Sequence, residues 1–117
     1  MPARSSYDDV VKFIDETLEQ AMPGLVDTHT PNNFGRATKH VARALRSRMY
    51  LYAASPLFNG NSEFYNDFVD ADGKHLISQE YSVKKWEKSA EVTLDAIREA
   101  EKVYHLYGDV EAGEPTA

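Results

Sequence analysis

The chain has no cysteine, so disulfides, thiolate metal sites, a cysteine nucleophile and lipidation within these residues are excluded. No apolar run approaches the ~20 residues that cross a bilayer. Met1-Pro2-Ala3-Arg4-Ser5-Ser6 runs straight into acidic sequence without the apolar centre of a secretory signal. Glycine-rich phosphate loops are missing, and Ser47, Ser55 and Ser89 lack the glycine elbow that exposes a nucleophilic serine. Positive charge is also short: 13 Lys and Arg face 19 Asp and Glu, leaving a net charge of −6. Such a domain repels phosphate at long range, which argues against a nucleic-acid partner.

What is present is ordinary for a globular chain. A length of 117 residues fits one domain with one modest core, and 42% hydrophobic with 27% charged residues excludes wholesale disorder. Ser6 and Asp9 form an acidic capping box ahead of an apolar stripe at Tyr7, Val10, Val11, Ile14, Leu18, Ala21 and Met22, and Pro23-Gly24 stops it. This predicts a first helix over 7–22. Residues 27–35 are a loop by composition. A second helix is predicted from the cap Thr38 to Ala54, with Val41, Ala42, Leu45, Met49, Tyr52 and Ala53 on one face. Its second half is apolar nearly all round, and five alanines between 37 and 54 allow close neighbours, as in the central helix of a stack. A third helix is predicted from the cap Ser82 to about Tyr104, with the stripe Val83, Trp86, Ala90, Leu94, Ile97, Ala100 and Tyr104 turned to the core and Trp86 as its anchor. Between the second and third lies a long excursion, 56–81, with turn chemistry at Asn59-Gly60-Asn61 and Asp70-Ala71-Asp72-Gly73 and helical turns expected near 62–68. No segment alternates as a strand, and 109–117 is expected to fray. The fold class is all-α: a bundle of three long helices with that excursion between the second and third.

Few constellations carry chemistry. Arg36, Lys39, Arg43 and Arg46 follow one stripe; a solvated ion-pair band beside the acidic first helix, or beside one flank of the third, is favoured over a polyanion surface. A calcium loop at Asp70–Gly73 fails, because Phe68 and Gln79 would occupy its first and twelfth positions, where carboxylates are needed. His29, His40, His75 and His105 have no paired metal-ligand spacing; Glu101 and His105 stand one helical turn apart and could form a weak pair. Glu87 and Glu91 read as a solvated face. Trp86, Tyr52 and Tyr104 sit at core spacing, which leaves Phe58, Phe64, Tyr65 and Phe68 as the better aromatic platforms for a sugar ring. No catalytic residue, metal ligand or cofactor site is expected, and no ligand-binding residue is assigned.

Gly35-Arg36-Ala37-Thr38-Lys39, the alanine-rich helix after it, and Met49-Tyr50-Leu51-Tyr52-Ala53-Ala54-Ser55-Pro56-Leu57-Phe58-Asn59-Gly60 together resemble the SusD/RagB family of surface glycan-binding lipoproteins in Bacteroidetes nutrient uptake. Phe13-Ile14 with Leu18 and Ala21, Tyr81 to Ala90, and Tyr104-His105-Leu106-Tyr107 are similar to the flanking segments of that family, so the resemblance runs to about Gly108. It implies a tetratricopeptide-like helical-repeat region over 1–108, part of a longer lipoprotein whose signal and acylated cysteine lie upstream. It further implies a non-catalytic role at the outer membrane, with a TonB-dependent (SusC-like) transporter and an oligosaccharide or polysaccharide as partners of the parent. This region would serve mainly as scaffold and docking surface. Stacked helix pairs bury a face only against their neighbours, so the isolated piece is expected to self-associate. The rival expectation is a free-standing helical-repeat module for protein–protein interaction.

Overall fold

The computed structural model describes residues 2–107, 109–111 and 114–116. Three long helices form, as their stripes and caps require: α1 (Tyr7–Ala21), α2 (Lys39–Ala54) and, after the single-turn α3 (Ser62–Tyr65), α4 (Val83–Ala100). Ser6 Oγ accepts the Asp9 amide at 3.1 Å and Thr38 Oγ1 accepts that of Val41 at 3.3 Å, so the first two caps are made as the sequence predicts. Pro23 and Gly24 close α1 in a 3-10 turn over Met22–Gly24. In the excursion, Asn61 caps α3, and Asp70 Oδ1 accepts the amides of Asp72 and Lys74, closing a turn in which Gly73 has φ +81°. The Asp70–Gly73 segment is a turn.

α2 lies between α1 and α4. On one side Arg46 reaches Asp15 and Glu19 of α1; on the other Ser47 Oγ meets Thr93 Oγ1 at 2.7 Å and Arg43 approaches Asp95. Pairings that run from 43–95 through 47–93 to the Lys88 ammonium over the Tyr50 ring show that α2 and α4 are antiparallel. The N-terminus of α1 is tied to the excursion and to α4: the Tyr7 amide bonds Leu76 O, Lys74 pairs with Asp9, and Lys85 pairs with Asp8 at 2.7 Å. That last pair offsets the unfavourable position of Lys85 in the first turn of α4.

Three expectations are corrected. α4 ends at Ala100, not Tyr104: it has passed the start of α2, and the chain turns over 101–103 so that the Tyr104 ring stands edge-on to His40, with centroids 5.3 Å apart. Glu101 and His105 therefore do not share a helix turn. Ser82 does not cap α4 with its side chain; its backbone is held by Asn59 instead. A strand pair exists where none was read, Asp109–Glu111 against Glu114–Thr116, antiparallel and beyond the helices. Side chains there, with residues 108, 112, 113 and 117, lie outside the described residues, as does part of the tail expected to fray.

The largest correction concerns the core. The buried apolar residues are Ala42, Ala53, Ala54, Leu76, Ile77 and Val92, joined by Arg46, Asn59 and Ser89; among the described residues no large side chain is fully buried. The stripe assigned to the core on α4 faces outward: Trp86 is 38%, Leu94 45% and Ile97 48% exposed. Tyr52 and Tyr104 are likewise exposed. Small residues win the seam because they let two helix backbones approach, and Ser89, Thr93 and Ala96 supply them on α4. The result is a slab of 57 × 36 × 19 Å with a radius of gyration of 18.5 Å. A compact chain of this length would have about 13 Å.

Candidate functional site

The segment Ser55-Pro56-Leu57-Phe58-Asn59-Gly60 builds a corner where three helices meet. Asn59 is 3% exposed and spends its whole amide on backbone: Nδ2 donates to Ala54 O at 3.2 Å and Ser82 O at 3.0 Å, while Oδ1 accepts the Ser82 amide at 2.9 Å. One side chain thus clamps the end of α2 to the start of α4. Gly60 has φ +78°, and a Cβ there would lie 2.3 Å from Tyr81 N, so only glycine admits the returning chain. Phe58 stacks face to face on Tyr7 with ring centroids 4.4 Å apart, which adds the start of α1.

Above this corner opens a cleft of about 590 Å³ walled by Pro56, Leu57, Asn61, Glu63, Phe64 and Tyr81. Phe64 and Tyr81 are exposed on it. The four aromatics considered as sugar platforms therefore separate. Phe58 is taken by Tyr7, and Tyr65 lies against Phe68 with centroids 6.0 Å apart, which leaves Phe64 in the cleft. Tyr81 joins it, and this the sequence did not single out; the signal was the tight Gly60 turn, which needs a backbone to pass close by.

Between α1 and α2 lies a charged network. Arg46, 7% exposed, donates from Nε to Asp15 at 2.5 Å and from Nη2 to Glu19 at 2.8 Å, and Tyr50 Oη donates to Asp15 at 2.6 Å. Burial alone would raise the Asp15 pKa, but the bonds from Arg46 and Tyr50 hold it below the usual carboxylate range. Burial and the bond to Asp15 push the Tyr50 hydroxyl well above its ordinary value. Asp15 stays ionised and Tyr50 protonated at neutral pH, so the network is suited to holding helices rather than moving protons. Three members of the basic stripe make ion pairs, Arg46 here, Arg43 with its Nε 3.5 Å from Asp95, and Lys39 3.9 Å from Asp27, but the expected band is not solvated at Arg46, which is buried between α1 and α2. Arg36 is exposed and makes no ion pair among the described residues. The Arg43 contact is a charge pair only, since its Nε is not aligned for a hydrogen bond.

At the opposite end from the corner, Ile97, Ala100, Tyr104 and Leu106 line an apolar groove of about 600 Å³ edged by Glu101 and His105. Behind Tyr104, both ring nitrogens of His40 are buried without a hydrogen-bond partner. His29 Nε2 donates to Ala37 O, 3.0 Å away, and no group of three His, Asp or Glu able to hold a metal ion occurs among the described residues. Glu87 and Glu91 are exposed, as read.

No protein-family profile and no curated protein matches the chain. Among solved structures it is similar to BT4246, with a TM-score of 0.78 and 34% identity over 91% of this chain. A selenomethionine form of BT4246 gives a TM-score of 0.80 at 33% identity. In both cases the match covers only 19% of the solved chain, so this chain spans about a fifth of the length of the proteins it resembles.

Proposed function

We propose that the chain is the helical-repeat portion of a SusD/RagB-like nutrient-uptake protein. In that role it acts as non-catalytic scaffold and docking surface, and the parent presents an oligosaccharide to a TonB-dependent transporter at the outer membrane. The observation that carries this reading is the place of the Ser55–Gly60 stretch in the fold. The residues most specific to the resemblance are those that clamp α1, α2 and α4 together, through Phe58, Asn59 and Gly60. The similarity to one fifth of a much longer chain supports a region that belongs inside a larger architecture. So does the outward apolar face of α4, the surface a repeat offers to its neighbour.

The test uses the full-length parent. Affinity capture of the parent, followed by mass spectrometry, is expected to recover a TonB-dependent transporter encoded beside it. Polysaccharide retardation gels are expected to show slowed migration with at least one glycan. A parent that captures no transporter and migrates unretarded on every glycan sinks the reading, and recovery of one soluble protein partner instead favours a free-standing interaction module.

A further inference from the structure

The corner where α2 meets α4 is built on the chain's single Asn-Gly pair, Asn59-Gly60. Asn59 cannot be exchanged without losing the clamp, and Gly60 cannot carry a Cβ, so the fold requires both halves of the pair. In water such a pair is chemically labile, because no side chain on the glycine shields its nitrogen from the neighbouring carboxamide. Asn32, Asn33, Asn61 and Asn66 all precede residues that have a side chain. In the closed corner the reaction is blocked twice. Attack makes Cγ tetrahedral and expels Nδ2, which breaks the hydrogen bonds that hold the flat amide to Ala54 O, Ser82 O and the Ser82 amide. It also needs water to take up and return protons, and Asn59 is buried away from water.

We propose that Asn59-Gly60 is a self-modification site, shielded by its own clamp and reactive only when α2 and α4 part at this corner. The Gly60 nitrogen, its proton taken by hydroxide, attacks Asn59 Cγ. An N–Cγ bond forms, the Cγ–Nδ2 bond breaks, and Nδ2 leaves as ammonia with a proton returned by water. A water molecule then opens the succinimide ring at either carbonyl, giving aspartate or the isomer whose backbone runs through Cγ. Neither product recloses the corner. Aspartate places carboxylate oxygens where Nδ2 donated to two carbonyls, which sets acceptor against acceptor and a charge in a buried site. The isomer lengthens the backbone where a single Cβ already lacks room. A reversible local opening thereby becomes a lasting one. This inference stands apart from the glycan-uptake reading and holds or fails without it.

The test follows the folded chain in mildly alkaline buffer, where the glycine amide loses its proton more readily. Peptide maps read by mass spectrometry report the exchange of –NH2 for –OH and the backbone isomer. Conversion is expected at Asn59, about tenfold or more slower than in the urea-unfolded chain, because the rate follows the fraction of open corners. Tyr7→Ala removes the ring stacked on Phe58 and leaves the pair itself untouched, so it is expected to speed conversion at Asn59 and not at Asn33. If that variant loses its helical circular dichroism, urea below the unfolding midpoint loosens the unaltered chain to the same end. Converted chains are expected to lose hydrogen-exchange protection at the Ser82 amide. Conversion as fast folded as unfolded overturns the proposal, since the clamp then shields nothing. So does a folded chain that stays unconverted through both loosening treatments, or a converted chain that keeps the Ser82 amide protected.

Discussion

The two faces of α4 invert the usual placing of polar and apolar groups. Toward α2 it presents Ser89, Val92, Thr93 and Ala96, and the α2 face it meets contains Arg43, Ser47, Tyr50 and Ala54. Away from α2 it presents Trp86, Ala90, Leu94 and Ile97. The inner seam packs small residues around one directional bond, Ser47 to Thr93; the outer face exposes Trp86, Leu94 and Ile97 among the charges of Lys84, Glu87, Glu91 and Arg98. Burying a Leu side chain fully contributes about 1.5–3 kcal/mol, and part of that gain is untaken on the outer face, where Leu94 is 45% exposed. Stability therefore concentrates in a few polar joints, and substitutions there are expected to cost more than substitutions of the largest aromatic residue.

The corner at Gly60 is where the comparison is easiest to break. Gly60→Ala sets a Cβ 2.3 Å from Tyr81 N and 2.6 Å from its Cα, and backbone cannot yield as a side chain does. The residue also needs φ +78°, which costs a non-glycine residue about 1–2 kcal/mol by itself. The expected loss exceeds about 4 kcal/mol, a large part of the stability of any small domain. Urea denaturation followed by far-ultraviolet circular dichroism measures it. A variant as stable as the parent chain would mean that the clamp does not join α2 to α4 in solution.

Next in size is the network between α1 and α2. Arg46→Ala leaves Asp15 without its main partner in a half-buried site and is expected to cost about 3 kcal/mol. Acid acts on the same joint. Asp15 has a folded pKa held below its unfolded value, so its contribution is complete above about pH 4 and is lost as pH falls through the depressed value. Stability measured against pH is expected to drop along this acid limb, and Asp15→Asn is expected to flatten it. An unchanged acid limb in Asp15→Asn would remove the network from the account of stability.

Much of this architecture was legible in the residues, because local chemistry set it. Ser6 and Thr38 fixed two helix starts, Pro23-Gly24 fixed a stop, and the charges of Arg43 and Arg46 pointed to an ion-pair band. The phase of the α4 stripe was legible too, but its direction was not. A periodic pattern gives the angle between two faces and not which one meets the neighbour. Here the neighbour took the small residues, and the clue was the alanine content of α2, which signals close backbone approach rather than bulky packing. Asn59 read as a turn residue because its decisive partner, Ser82, is 23 positions away. The cleft aromatic Tyr81 was missed for the same reason, since its place depends on Gly60.

The smallest expected effect falls on the largest side chain. Trp86 anchoring a core would cost roughly 3–5 kcal/mol on truncation to alanine. At 38% exposure it keeps over a third of its area in water on the outer face of α4, and Trp86→Ala is expected to cost about 2 kcal/mol in dilute protein. Dilution matters, because association through this face would add to the loss at high concentration. The clean measurement is a denaturation midpoint at two protein concentrations. A loss near 4 kcal/mol in the dilute sample would place Trp86 in the core and turn α4 around, and with it the contrast between its inner and outer faces.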